Sequence, residues 1–167
     1  MSVRPELPPS APLPAGDDGP MRPHTATCFG CGPENPASLG LSFVRDGDVV
    51  RADVALPPAY EGAPGLAHGG IVAAILDDIS GAIPRTLGLR AVTAKLDVEF
   101  ASPVVIGRSL VTESWLEARD GRKIRIVARL MEGERLLASA RALFIEVPPE
   151  HFRPRDADPP ARPTIAP

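Results

Sequence analysis

Residues 68–83 read HGGIVAAILDDISGAI, and this stretch decides the fold. At about 100° per residue, Ile71, Val72, Ile75, Leu76, Ile79, Ala82 and Ile83 fall on one apolar face, which predicts a helix over 69–83 laid against a sheet. The opposite face holds Gly70, Ala73, Ala74, Asp77, Ser80 and Gly81. A solvated helix face normally carries long charged side chains, whereas this one carries small residues around a single carboxylate. A second surface (another subunit, a ligand, or both) is therefore expected to come close to it. Asp77 stands at the centre of that face. Asp is a poor helix former and is costly to bury unpaired, so a functional carboxylate is weighed against a structural one bonded to a loop. Asp78, at the edge of the apolar face, reads as a rim charge, and two adjacent carboxylates raise the pKa of one of them. At the helix start, Gly69 and Gly70 leave N–H groups without intrahelical partners and without side chains to shield them. Such donors, aided by the helix dipole, suit an anion or the oxyanion of acyl transfer. The alternative is a tightly packed helix start that needs glycine. His68 reads as a loop-holding hydrogen-bond partner rather than an acid or base.

Outward from the helix, most segments read as strands. Residues 39–45 and 48–56 flank the turn Asp46-Gly47. After a Pro- and Gly-rich loop (57–67) and the helix comes 92–101, which alternates: Ala94, Leu96, Val98 and Phe100 on one face, Thr93, Lys95, Asp97 and Glu99 on the other. Residues 107–118, 122–132 and 135–147, joined at Asp120-Gly121 and Glu132-Gly133-Glu134, read as an antiparallel meander. One helix, a hairpin before it and a run of four strands after it make an α+β pattern.

The chain has 167 residues, which favours one domain. Its 21 prolines crowd the ends, with seven in 1–27 and seven in 148–167. Proline lacks an N–H and fixes φ, so both tails read as extended or disordered, leaving a folded unit over 28–147. A net charge of −3 and 4% aromatic residues argue against a nucleic-acid surface. No apolar run of about 18 residues and no apolar segment near the start is present, so neither a membrane span nor a secretory signal is read, and a soluble cytoplasmic protein is expected.

His68-Gly69-Gly70 with Asp77 nine residues after the histidine, the strand Thr93–Pro103 and the following Gly107 together resemble the hotdog-fold acyl-CoA thioesterases, and within them the phenylacetic-acid-degradation type. The resemblance covers about 28–147. It implies an antiparallel sheet wrapped around one long helix, and a homodimer or dimer of dimers with sites at the subunit interface. The implied substrate is an acyl-CoA or acyl-carrier-protein thioester, with no cofactor and no metal. Carried over by position, Asp77 matches the carboxylate that acts as nucleophile or general base, with Asp78 the other candidate of the pair. Gly69 matches the backbone donor to the thioester carbonyl, Gly70 lies beside it, and Thr93 matches a hydroxyl that places water or substrate. Many relatives carry a polar residue six positions before the histidine; here Gly62 stands there, beside Glu61, and both are candidate substrate contacts. That departure keeps a non-catalytic hotdog binding protein as the alternative. A hotdog hydratase, whose Asp precedes a His, fits the order of residues less well.

Arg119, Arg122, Lys123 and Arg125 cluster at a turn, with Arg85 and Arg90 after the helix, and the resemblance makes Arg122 and Lys123 candidate partners for coenzyme A phosphates. Ser114 and Ser139 have no His/Asp arrangement for a serine-hydrolase triad. Cys28 and Cys31 form a C-x-x-C. Structural zinc takes four ligands and no second C-x-x-C exists, so His24 and Glu34 or a second subunit would have to contribute. A compact entry turn is the simpler reading.

Overall fold

The computed structural model describes residues 10–152. Nine strands and one α-helix form it: β1 (Gly19–Pro20), β2 (Val44–Asp46), β3 (Val49–Ala55), β4 (Glu61–Ala63), β5 (Leu66–Ala67), α1 (Gly69–Thr86), β6 (Ala91–Phe100), β7 (Ser109–Asp120), β8 (Lys123–Glu132) and β9 (Arg135–Glu146). Seven of them make one sheet in the order β1-β2-β3-β7-β8-β9-β6, with antiparallel neighbours throughout, while β4 and β5 form a small separate pair. The sheet and its single long helix are the hotdog fold expected from the sequence.

Helix α1 forms because its apolar stripe has a sheet to cover. Val72, Ile75, Leu76, Ile79, Ala82 and Ile83 are at most 1% exposed and pack with inward residues of β3, β7, β8 and β9, among them Val50, Leu110, Ile124, Ile126 and Leu130. The helix runs three residues beyond the expected end, through Pro84 to Thr86. Proline deletes one N–H donor there, and Thr86 Oγ1, donating to the Ile83 carbonyl, helps close the last turn. Ser80, expected on the small-residue face, is instead fully buried; its hydroxyl donates to the Leu76 carbonyl one turn back, which satisfies it without solvent. On the sheet's other face, the Glu113 carboxylate bridges Arg51 (2.8 Å) and Arg129 (2.7 Å), and the Arg129 guanidinium lies over the Trp115 ring.

Three expectations are corrected. Residues 39–43 are not a regular strand; Leu39 and Leu41 donate instead to the carbonyls of Phe29 and Gly30, and regular pairing begins only at Val44. The N-terminal segment is not disordered over 10–27. Leu13 is buried and its N–H donates to Asp48 Oδ1 (2.8 Å), Arg45 donates to the Pro14 carbonyl (2.6 Å), and Gly19–Pro20 pair with β2. An extended, proline-rich strand can still lie on a sheet edge, where missing N–H donors cost nothing. At the other end, the start of the expected C-terminal tail is ordered too, Pro149–Phe152 forming a 3-10 turn, while 1–9 and 153–167 lie outside the described residues.

The third correction concerns β6. The pairing runs Thr93↔Phe144, then Lys95↔Leu143, so Ala94 is an extra residue, a β-bulge. Strict alternation puts Thr93 on the face opposite Leu96 and Val98. The bulge shifts the parity, and Thr93, opposite buried Phe144, joins Leu96, Val98 and Phe100 on the helix side of the sheet. Among the described residues, the outer edge of β6 has no strand beside it. Also among the described residues, no helix is long and apolar enough to cross a membrane.

Candidate active site

The bulge builds the central contact. Thr93 Oγ1 donates to Asp77 Oδ1 at 2.9 Å, joining strand β6 to the small-residue face of α1. Asp77 is half-buried, and both residues line a cleft of about 770 Å³. Its walls include Phe144, Leu89 and Phe152 as apolar surface, and His24, Arg85 and Arg90 as polar or cationic groups. The phenylalanines read most simply as core in the sequence; Phe144 is indeed buried, but at the cleft floor, while Phe152 is half exposed.

The helix start is a second, separate locus. His68 is the N-cap of α1, and its Nδ1 accepts the Gly70 N–H at 2.9 Å. A Cβ at Gly70 would lie 3.0 Å from that imidazole Nδ1, so a side chain there would press on the cap. Gly69 differs. A Cβ on it would meet only the Phe100 ring, at an ordinary 3.6 Å, and as the first helical residue its N–H has no intrahelical acceptor. Packing within this chain therefore does not demand glycine at 69. Phe100, 57% exposed, lies beside this amide and was missed in the sequence because a strand aromatic reads as core.

The remaining candidates divide. At Gly62, a Cβ would fall 2.7 Å from His68 Cα, so glycine lets the β4–β5 hairpin pass against the N-cap residue. The neighbouring Glu61 carboxylate accepts the Gly65 N–H, closing the same hairpin. Arg122 Nε donates to the Glu146 carbonyl at 2.9 Å, and Arg119 pairs with the Glu146 carboxylate at 3.0 Å, so these cations tie the β7–β8 turn to the end of β9. Neither Arg122 nor Lys123 lines the cleft, whereas Arg85 and Arg90 do.

Asp78, half-buried like Asp77 and lining the same cleft, also reaches under the loop 28–31, where its carboxylate occupies the space a Cβ on Gly30 would take. Cys28 Sγ lies 3.8 Å from Asp78 Oδ1, and Asp78 Oδ2 is buried without a partner. Burial, and then the charge of Asp77, push the Asp78 carboxyl above its ordinary value, while contact with Cys28 and the positive charges of His24 and Arg85 pull the other way.

Comparison with known proteins agrees with this architecture. Residues 64–142 match the Thioesterase superfamily, the stretch from the turn between β4 and β5 into β9. The segment has the hotdog fold and is similar to that superfamily. The chain is 33% identical over 94 residues to the acyl-coenzyme A thioesterase THEM4 of Xenopus laevis, a match that takes in 55% of this chain and 42% of that protein. The chain thus spans about two fifths of the length of the curated relatives it matches. A thioesterase superfamily protein of known crystal structure superposes with a TM-score of 0.69 at 29% identity, over 72% of this chain and 60% of that one. A phenylacetic acid degradation-related protein from Ralstonia eutropha superposes with a TM-score of 0.61 at 24% identity, over 70% of this chain and 92% of that one.

Proposed function

We propose that this chain hydrolyses an acyl-CoA or acyl-carrier-protein thioester to a free acid and a thiol, at sites shared between two copies of the chain. The observation that carries the reading is the hydroxyl–carboxylate pair, Thr93 on Asp77 at 2.9 Å, in a cleft of a thioesterase-superfamily fold.

Asp77 and Gly69 are eight residues apart on one helix, roughly 12 Å at 1.5 Å per residue. They cannot address the same carbonyl group within one chain. A second copy set against the small-residue face and the open edge of β6 would bring its own Gly69 amide to the first copy's Asp77. In this arrangement the thioester carbonyl oxygen accepts the Gly69 N–H, and Asp77 takes a proton from a water held with the help of Thr93. The water oxygen bonds to the carbonyl carbon, and the electron pair of the C=O bond moves onto the oxygen facing the helix start. Collapse breaks the C–S bond, and the thiolate leaves with the proton that Asp77 received. One oriented oxyanion donor is worth roughly 3–4 kcal/mol in comparable sites, and general-base assistance about 10²–10⁴-fold. Arg85 and Arg90, at the cleft, are better placed than Arg122 and Lys123 to meet substrate phosphates.

Glycine at position 62, packed on His68, favours a second reading in which the dimer binds an acyl or aromatic ligand without turnover. One experiment separates the two. A panel of aliphatic and aryl acyl-CoA and acyl-carrier-protein thioesters is offered to the wild-type chain and to Asp77→Ala, and free thiol is followed. Hydrolysis of at least one member, lost in Asp77→Ala, is expected. Ligand-induced stabilisation with no thiol release from any member would favour the binding protein.

A further inference from the structure

We propose that Cys28, Cys31 and Asp78 form a binding site for a divalent metal of borderline softness, with zinc the best match, that clamps the N-terminal loop to helix α1. The inference does not depend on the thioesterase reading.

Three ligand atoms, two thiol sulfurs and one carboxylate oxygen, lie within 4.8 Å of one another although Asp78 is fifty positions from Cys28. A tetrahedral zinc site, with Zn–S of about 2.3 Å and Zn–O of about 2.0–2.2 Å, has ligand–ligand edges of roughly 3.5–3.8 Å. The Cys28 Sγ to Asp78 Oδ1 separation of 3.8 Å already meets that edge. It is long for a strong hydrogen bond and leaves the carboxylate poorly compensated.

The surroundings also resemble those of a metal thiolate. The His24 N–H donates to Cys31 Sγ at 3.2 Å, and the Gly32 N–H donates to the Cys28 carbonyl at 2.9 Å, curling the loop so that both sulfurs point inward. A backbone N–H on a sulfur stabilises thiolate rather than thiol. Glycine at 30 leaves the space that the Asp78 carboxylate fills, and glycine at 32 lets the backbone pass Cys28 N at a distance no side chain would tolerate. Asp78 Oδ2 is buried with no hydrogen-bond partner, the kind of orphaned group that native structures keep where an ion or water belongs.

Without a cation the cluster is unfavourable. A dication at the centre inverts this, favouring thiolate and carboxylate together. Two sulfurs exclude a magnesium- or calcium-type site, which takes oxygen ligands. The fourth position is left to water or to the His24 imidazole, which lines the adjoining cleft with Cys31 and Asp78. Sequence spacing alone offered only two thiols; the helix supplies the third ligand.

The test uses the full chain purified under reducing conditions. Elemental analysis should find about one equivalent of zinc retained through dialysis, and cobalt(II) added to chelated protein should develop thiolate-to-metal charge-transfer absorption. Cys28→Ser and Asp78→Asn should each lose the bound metal, whereas Glu34→Gln, the loop acid outside the cluster, should keep it. Because a ligand variant can fail to fold, the cobalt titration of the wild-type chain stands alone: no charge-transfer band in the reduced, folded chain overturns the proposal. A Cys28–Cys31 disulfide with no metal taken up after reduction overturns it too. Full metal retention by Asp78→Asn would remove the carboxylate from the site and overturn the three-ligand assignment.

Discussion

On the cleft side of α1, Asp77 is half-buried, accepts the Thr93 hydroxyl and faces the space where a substrate or second copy would lie. One residue later the helix has turned by about 100°, and Asp78 points under the loop 28–31, among two sulfurs and a glycine, with one oxygen unpartnered. Two identical side chains, adjacent in sequence, thus meet different chemistry. The difference arises from what the neighbouring elements bring: β6 brings a hydroxyl through its bulge, and the N-terminal loop brings thiols through its glycines. Composition alone treats the pair as one acidic dipeptide; the angular step of the helix gives its two members different partners along one cleft.

The contrast can be broken most directly by neutralising each acid in turn. Asp77→Asn is expected to lower kcat by about 10²–10⁴-fold on whichever thioester the chain hydrolyses, and Asp78→Asn by far less, measured with the same substrate. The opposite order would exchange their roles. A smaller effect is expected at the partner hydroxyl. Thr93→Val keeps the shape and removes the donor, and loss of a hydrogen bond to a charged group, worth about 1.5–3 kcal/mol, should cost roughly 10- to 100-fold in kcat, with Thr93→Ser restoring most of it. An unchanged rate in Thr93→Val would mean that the hydroxyl does not position the reacting groups.

The smallest effect is a slope in stability. Below its ordinary value of 3.8, the Asp78 carboxyl is neutral in both folded and unfolded chains. Burial raises it in the folded chain, so as pH rises past 3.8 the unfolded chain loses its proton first and stability declines through the folded value. Asp78→Asn should remove that decline in metal-free protein, seen as a denaturation midpoint that changes less between about pH 4 and pH 7 than in the wild type. Equal slopes would show that Asp78 does not titrate in that window.

What was legible in the sequence follows from the range of each signal. Helix α1 and the β7–β8–β9 meander depend on local periodicity and on Gly turns, and both were readable there. The bulge at Ala94 was not: nothing in AVTAKLDVEF marks the residue that drops out of pairing, yet it alone brings Thr93 round to Asp77. The reach of Asp78 to the loop 28–31 spans fifty positions and depends on tertiary packing, so spacing rules for cysteine motifs could not see the third ligand. The ordering of 10–27 escaped notice for a related reason, since proline content tells what the backbone cannot donate and nothing of what it can lie against. At Gly69 the chain by itself leaves room for a side chain where it has none.

Among the described residues the outer edge of β6 is bare, ten residues long and free of proline, a line of amides and carbonyls that another strand can zip onto. A solitary copy is on that account an adhesive object, prone to join with whatever extended chain it meets. Under the arrangement proposed above, the matching copy that quenches this stickiness also delivers the missing amide to the carboxylate, so safe storage of the edge and the onset of chemistry become a single event.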